Sequence, residues 1–388
     1  HKIDTSITVG TSSLPVQSFF NSNIDSSINL SDYQIPYLGF GEGGIVTIDI
    51  SNTDDHASHL HIQEDGKLVV SGYSFNGTDN DFALLRFTQN GEPDLTFGNG
   101  GIVITDLLGT EGQGGSVLRL ENGNYIQGGM VKSESSCKPG VFTFDFVLLQ
   151  YLENGFLDPS FGSNGSVLTD FECDQDYGGI LAIQSDGKIL LCGSIYNSPA
   201  QDFSIARYLP EGILDTSFGT NGKVITELGD GYDFSRGTLI QENSNGKILL
   251  SGAIFEETSG GFNFGILRYL SDGTLDTSFG TEGITTFDFS NGIDVADGIM
   301  ELANGNILLA GWAETGTNRD YAIAMLFPTG DPNTNFGEDG KKTIHFGFGD
   351  DLGHAICLGS DGMILVAGSS FNGSDLDIGI AKFDPSDN

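Results

Sequence analysis

Apolar residues in this chain come in short runs that alternate with polar ones and stop at glycine-rich turns. Between 43 and 87 four runs follow one another: "GGIVTIDI" (43–50), "ASHLHIQ" (57–63), "KLVVSGYS" (67–74) and "DFALLRF" (81–87). Alternation with period two over five to eight residues is the pattern of half-buried strands. No segment keeps a 3.6-residue period, so the pattern predicts an all-β protein. Between the second and third runs stands an Asp-Gly or Asn-Gly pair, as in "EDGK", "ENGN", "SDGK", "SNGK", "ANGN" and "SDGM". These dipeptides favour a two-residue type I′ turn, which makes those strands antiparallel neighbours.

The same block recurs. "GILDTSFGTNG" (212–222) returns as "GTLDTSFGTEG" (273–283), and its Phe-Gly pair also falls at Phe40, Phe97, Phe161 and Phe336, with intervals of 57, 64, 57, 61 and 57 residues along the series. A catalytic group is rarely needed six times in one chain, whereas a joint between like units is needed once per unit. A four-stranded sheet of this size buries too little to stand alone, and closing six of them into a ring covers both faces of each. The expected architecture is therefore a six-bladed β-propeller with four antiparallel strands per blade over 37–388. Residues 1–36, rich in Ser and Asn, form an extension outside the repeats.

The ordered elements of "IQSDGKILLCGS" and "DFSIARYLPEGILDTSFGTNGKV" within 183–224 resemble the delta-60 repeat of bacterial, mostly secreted or surface-associated proteins. The likeness covers roughly residues 37–385. It implies propeller architecture and export; the family has no agreed catalytic residue to carry over.

Strand phase fixes the ring. The chain ends just after a fourth-type run (377–383), while the first-type run at 43–50 has no predecessor. If each blade takes runs two, three and four of one unit and run one of the next, the two orphans complete each other, and residues 45–50 latch the ring by pairing with 377–383. Second-type runs then line the channel, and the Asp-x-Ser-Phe-Gly stretch joins the two outer strands, its Phe wedged under the sheet and its Asp on turn amides.

Composition narrows the partners. The formal charge is 16 − 53 = −37, with a pI near 4.1, so nucleic acid and anionic membrane surfaces are repelled. No run of eighteen apolar residues exists, so no span of a membrane is expected. The chain opens on His1 without a basic-then-apolar leader, as a processed chain would. A monomer is expected.

The acidic surplus gathers in loops of one face. Asp55, Asp176, Asp233, Asp294 and Asp351 recur at one repeat position. They read either as turn caps or as an acidic ring for Ca²⁺, which wants several carboxylate and carbonyl oxygens; no cofactor is otherwise implied. Asp81, Asp145, Asp202, Asp320 and Asp377 align as a second set with a turn-capping role.

Ligand contacts are sought where units differ. The first and last blades bring Asp54, Asp55, His56, Asp350, Asp351 and His354 to one mouth. His59 and His61 share a face of a channel strand, in reach of zinc chemistry with His56 or His354. Tyr232, Arg236 and Trp312 suit sugar stacking or a protein partner.

No nucleophile elbow, zinc-protease helix or phosphate loop is present. The expectation is a secreted or cell-surface bacterial module, non-catalytic, that binds a glycan or protein, with cation dependence if the acidic ring holds Ca²⁺. The alternatives are a carbohydrate-active or lactonase-like enzyme with a metal at the channel mouth, and a structural surface domain.

Cys137 lies in an insertion between runs three and four of the second unit, and Cys173 follows the strand that completes the same blade. Their loops open on one face, so a disulfide fits and implies an oxidising compartment. Cys192 and Cys357 sit inside strands as buried free thiols. Alkylation without reductant, read by intact mass, is expected to block two thiols; four would refute the bridge.

Overall fold

The computed structural model describes residues 40–41, 45–171, 175–197, 200–229, 231–241, 246–257, 260–347, 349–359 and 361–385. Six antiparallel sheets surround one channel, a six-bladed β-propeller, and no helix occurs among the described residues. The first blade comprises β1 (Asp55–Ile62), β2 (Leu68–Phe75), β3 (Asn80–Phe87) and β4 (Ile102–Thr105). The second holds β5 (Gly112–Arg119), β6 (Tyr125–Glu134), β7 (Phe142–Tyr151) and β8 (Ser166–Thr169). The third holds β9 (Gln175–Ile183), β10 (Ile189–Asn197), β11 (Ala200–Tyr208) and β12 (Lys223–Thr226). The fourth holds β13 (Phe234–Gln241), β14 (Lys247–Glu256), β15 (Gly261–Tyr269) and β16 (Ile284–Phe287). The fifth holds β17 (Asp294–Glu301), β18 (Ile307–Glu314), β19 (Arg319–Leu326) and β20 (Lys341–Ile344). The sixth holds β21 (Asp351–Leu358), β22 (Ile364–Phe371) and β23 (Leu376–Phe383). The first five blades thus take runs two, three and four of one unit and run one of the next, as the strand phase predicted, and the sixth shows runs two, three and four.

The hairpins between runs two and three differ from the expected turn. Gly66, Gly123, Gly187 and Gly305 have φ of +80°, +87°, +80° and +82°, but the Asp or Asn before each keeps negative φ. Gln63 N–H donates to Lys67 O at 2.8 Å and Gly66 N–H to Gln63 O at 2.9 Å. This is a longer loop in which only the glycine is left-handed. The antiparallel pairing is unaffected.

The Phe-Gly joint staples one blade to the next. Phe97, Phe161, Phe218, Phe279 and Phe336 are at most 2% exposed. In three joints an Arg of the fourth-type run lies over the ring: Arg86 on Phe97 at 4.6 Å, Arg207 on Phe218 at 4.4 Å and Arg268 on Phe279 at 4.3 Å. The same guanidinium binds the joint's Asp, with Arg86 Nε to Asp94 at 2.8 Å and Arg268 Nε to Asp276 at 2.7 Å. It also crosses to the following blade, where Arg86 donates to Glu153 O at 2.8 Å and Arg268 to Pro328 O at 2.7 Å. The joint glycine donates across too, as in Gly98 N–H to Asn154 O at 2.7 Å. Gly98 has φ +50°, and a Cβ there would meet Ile102 O at 2.4 Å, so no other residue fits.

The latch is half formed. Val46, Ile48 and Ile50 pack against Ala83, Leu85 and Phe87 of the first blade, where the outer strand of a preceding blade lies at the other junctions. Ile50 N–H donates to Asp55 Oδ2 at 2.9 Å. The expected ladder from 45–50 to β23 is not formed among the described residues, and the sixth sheet pairs only β21, β22 and β23. Partial burial of Val46, Ile48 and Ile50 against the first blade holds the segment without the ladder, while Ile45 stays exposed. Ile378 and Ile380 remain 43% and 59% exposed, whereas Phe82 and Leu84, their counterparts in the first blade, are 1% and 0% exposed.

Two stability predictions follow from the joints. Phe279→Ala should cost about 3–5 kcal/mol in urea unfolding, because a fully buried ring and its Arg268 contact are lost together. Burial opposes ionisation of Asp276, yet hydrogen bonds from Lys247 and Ser278 and the Arg268 charge outweigh it and hold the carboxyl well below its usual range. A carboxyl depressed on folding contributes stability that is complete above its unfolded value, about 3.9, and is lost as pH falls below it. Asp276→Asn should therefore cost about 3–5 kcal/mol at pH 7, and the gap to wild type should narrow in unfolding curves below about pH 4.

Candidate functional site

Every inner strand carries a β-bulge at the same level. The register slips between Ala57 and His59, Gly114 and Val117, Gly178 and Ile180, Ser235 and Gly237, Ala296 and Gly298, and Gly353 and Ala355. The extra residues are Ser58, the Gly115–Ser116 pair, Gly179, Arg236, Asp297 and His354. All of them line one channel cavity of about 620 Å³. A bulge bends its strand and re-aims the extra side chain. Here six bulges aim six positions at the axis. The channel is tight on one side, since a Cβ on Gly115 would meet Gly179 O at 2.4 Å.

On the other side three charged or ionisable bulge residues from adjacent blades meet. His354 Nδ1 lies 2.9 Å from Asp297 Oδ2, and Arg236 Nε lies 3.8 Å from Asp297 Oδ1. Arg236 is largely exposed and lies 5.0 Å from the Phe234 ring centroid. Phe234, Phe262 and Trp312 form an aromatic wall of the same cavity. The wall continues outward through Phe234–Phe262 at 5.8 Å and Phe255–Phe262 at 5.4 Å, and separate ring pairs stand at neighbouring blades, Tyr196–Tyr232 at 6.1 Å and Phe144–Tyr177 at 6.4 Å. These rings belong to the second, third and fourth blades and Trp312 to the fifth, so one face carries an aromatic arc.

The sequence-expected ligand residues are only partly brought together. Arg236, Trp312, His354 and His59 line the cavity. His56 is exposed and stacks on Tyr73 at 4.9 Å. His59 Nδ1 accepts Val117 N–H at 3.3 Å, and burial followed by the neighbouring His61 pushes its pKa down to about 4. His61 is lowered as well, by burial and then by Arg119. The metal-type groupings of three or more side chains among the described residues contain none of His56, His59, His61 and His354. Tyr232 is exposed on the arc. Asp54 and Asp350 are exposed, Asp350 Oδ1 accepting Arg319 N–H at 3.0 Å, and the Arg319 guanidinium covers Trp312 at 4.6 Å.

The five recurrent aspartates do not form a ring at the mouth, because none lines the channel cavity. They cap turns at the starts of the inner strands. Asp55, Asp176, Asp294 and Asp351 each accept the amide five residues earlier, from Ile50, Phe171, Phe289 and Phe346, at 2.9, 2.7, 2.8 and 2.8 Å. Asp233 instead accepts Phe255 N–H at 2.7 Å. Burial raises three of them, Asp176 to about 8, Asp233 to about 6 and Asp294 to about 7, and neighbouring carboxylates add to it. Acidic groups that could hold a metal ion do exist, but between blades: Asp145–Asp170–Asp176, and Asp320–His345–Asp351.

Asp297 escaped the sequence reading, although its position is encoded. It stands three residues after the capping Asp294, as Arg236 does after Asp233 and His354 after Asp351. Cys192 is a free thiol, fully buried, and Cys357 is free but only half-buried. Cys173 lies outside the described residues, so its pairing with Cys137 stays a proposal.

Residues 63–97, 184–218, 244–279 and 359–388 match a protein-family profile described as "Domain of unknown function (DUF5122) beta-propeller". This supports a β-propeller repeat family. No curated protein sequence matches the chain. Among solved structures, it is similar to a glucose dehydrogenase, at 11% identity over 85% of this chain and 98% of that one, with a TM-score of 0.42. It is also similar to an ulvan lyase bound to -[GlcA(1-4)Rha3S]-, at 10% identity over 89% and 82% of the two chains, TM-score 0.41. A third likeness is to an endo-arabinase from Bacteroides thetaiotaomicron, at 12% identity over 71% and 95%, TM-score 0.34. No helix among the described residues is long and apolar enough to cross a membrane.

The lowered pKa of His59 has an observable consequence. In a ¹H–¹⁵N NMR titration its ring should stay neutral down to about pH 5 and change near 4. Titration near 6.5 would show that the channel strand is hydrated and open at this level.

Proposed function

We propose that this propeller is a non-catalytic binding module, secreted or displayed on a bacterial surface, that takes a glycan across its aromatic face and into the channel mouth. The observation that carries the reading is the continuity of the aromatic arc with the channel cavity, where Trp312, Phe234 and Phe262 stand beside the Arg236–Asp297–His354 group. Apolar faces of sugar rings stack on aromatic rings, while hydroxyls need donors and acceptors placed together. A formal charge of −37 disfavours polyanionic chains, so the ligand is a neutral or amino-bearing glycan. Ca²⁺ is the cation to test for any ion dependence, given carboxylate-rich clusters.

The His354–Asp297 hydrogen bond favours a second reading, a carbohydrate-active or lactonase-like enzyme in which the imidazole moves a proton at the mouth. A glycan array, with and without chelator, followed by calorimetry on a bound glycan, decides between them. Trp312→Ala and Phe262→Ala should weaken binding by about tenfold or more each, with unchanged circular dichroism. The module reading fails if no glycan binds or if both variants bind as wild type does. Turnover of a bound glycan or lactone that disappears in His354→Gln would establish the enzyme instead.

A further inference from the structure

We propose that the junction between the second and third blades holds one hard divalent cation of the Ca²⁺ class, coordinated by Asp145, Asp170 and Asp176. One oxygen from each carboxylate lies within 4.8 Å of the others. Two ligands that each stand about 2.4 Å from a shared Ca²⁺ can be no further apart than this. Asp145 is 4% exposed and Asp176 1% exposed, so the charges are not dispersed by water.

The second observation is an orphaned atom. Asp145 Oδ2 accepts the Ser133 hydroxyl, but its Oδ1 is buried without a hydrogen-bond partner. A buried carboxylate oxygen left unpaired costs free energy that a cation would recover. Asp170 and Asp176 are already oriented, the first by the Ser136 hydroxyl at 2.6 Å and the second by Phe171 N–H at 2.7 Å.

Two other junctions relieve the same crowding from within the chain. Register places Asp145 beside Asp170, Asn263 beside Asp288, and Asp320 beside His345. Between the fourth and fifth blades Asn263 removes one charge. Between the fifth and sixth, His345 Nδ1 lies 2.7 Å from Asp320 Oδ1 and 3.3 Å from Asp351 Oδ2, standing where a cation would. The third-to-fourth junction also carries three acidic residues, Asp202, Glu227 and Asp233, but among the described residues only the second-to-third junction brings three carboxylates together with an oxygen of each within 4.8 Å of the others. All donors are oxygen, which suits Ca²⁺ over Zn²⁺.

This site is separate from the channel mouth and independent of the glycan reading. The test titrates Ca²⁺ alone into chelator-treated full-length protein, by calorimetry and by thermal unfolding. We expect one tight site above any weak surface binding, and a rise of about 4 °C in Tm at 1 mM Ca²⁺. Asp145→Asn should abolish the tight site and the Ca²⁺-dependent rise, while its ion-free Tm matches or exceeds that of wild type because one buried charge is gone. Asp170→Asn, at a half-exposed position, gives the same reading should the first variant misfold. Absence of a tight site in wild type, or a site that survives both substitutions, would overturn the proposal.

Discussion

The structure depends on one repeated contact, an aromatic ring held between a guanidinium and the next blade. In the Phe97, Phe218 and Phe279 joints the Arg fills three roles at once: it covers the ring, neutralises the buried Asp and reaches a backbone carbonyl of the following blade. A blade is therefore fixed to its neighbour by the same residues that close its outer hairpin. The chain varies the chemistry without losing the geometry. In the second blade Gln150 and Asp158 stand at the places of Arg and Asp, and in the fifth Met325 and Asn333 do, yet Phe161 and Phe336 remain buried. Ring burial is the common term, and the ion pair adds to it.

Fixing the blades at their outer edges leaves the inner strands to settle the channel. Six strands converging on an axis crowd there, and each accommodates the crowding with a bulge. The bulge is also what turns a side chain toward the axis, so one feature serves packing and exposes chemistry. Where the bulge residue is glycine, as at Gly115 and Gly179, the backbones approach closely. Where it is Arg236, Asp297 or His354, charge gathers at one side of the mouth. The asymmetry of the site comes from residue choice at a symmetric position.

The acidic residues divide along similar lines. Asp94, Asp215 and Asp276 at the Phe-Gly joints are paired with Arg or Lys and held ionised. Asp145, Asp176, Asp233 and Asp294, between blades at the opposite face, are buried near other carboxylates and raised. Burial works against the charge in both places, and the partner decides which way the balance falls. A strongly negative sequence thus conceals two opposite electrostatic environments.

The blade count, strand phase and joints were legible from the sequence because they rest on local facts: period-two alternation, turn glycines and a motif repeated at near-constant intervals. Arg236 and His354 were also visible, as departures between units. Asp297 was not, since it resembles any surface carboxylate until the bulges align it with them. The turn type was misjudged because Asp-Gly serves more than one loop, and the longer loop is chosen by the register of the strands it joins. The capping aspartates left a ring of ligands open as the alternative, because spacing along the chain cannot tell the channel wall from the cleft between blades. Sequence by itself determined which segments are strands and how they repeat, since those follow from nearest-neighbour sterics and alternation of apolar side chains. Tertiary structure alone decided which carboxylates meet, which side chains reach the axis and whether 45–50 pairs with β23, because each depends on how neighbouring sheets pack, and that is settled by burial across residues more than fifty positions apart.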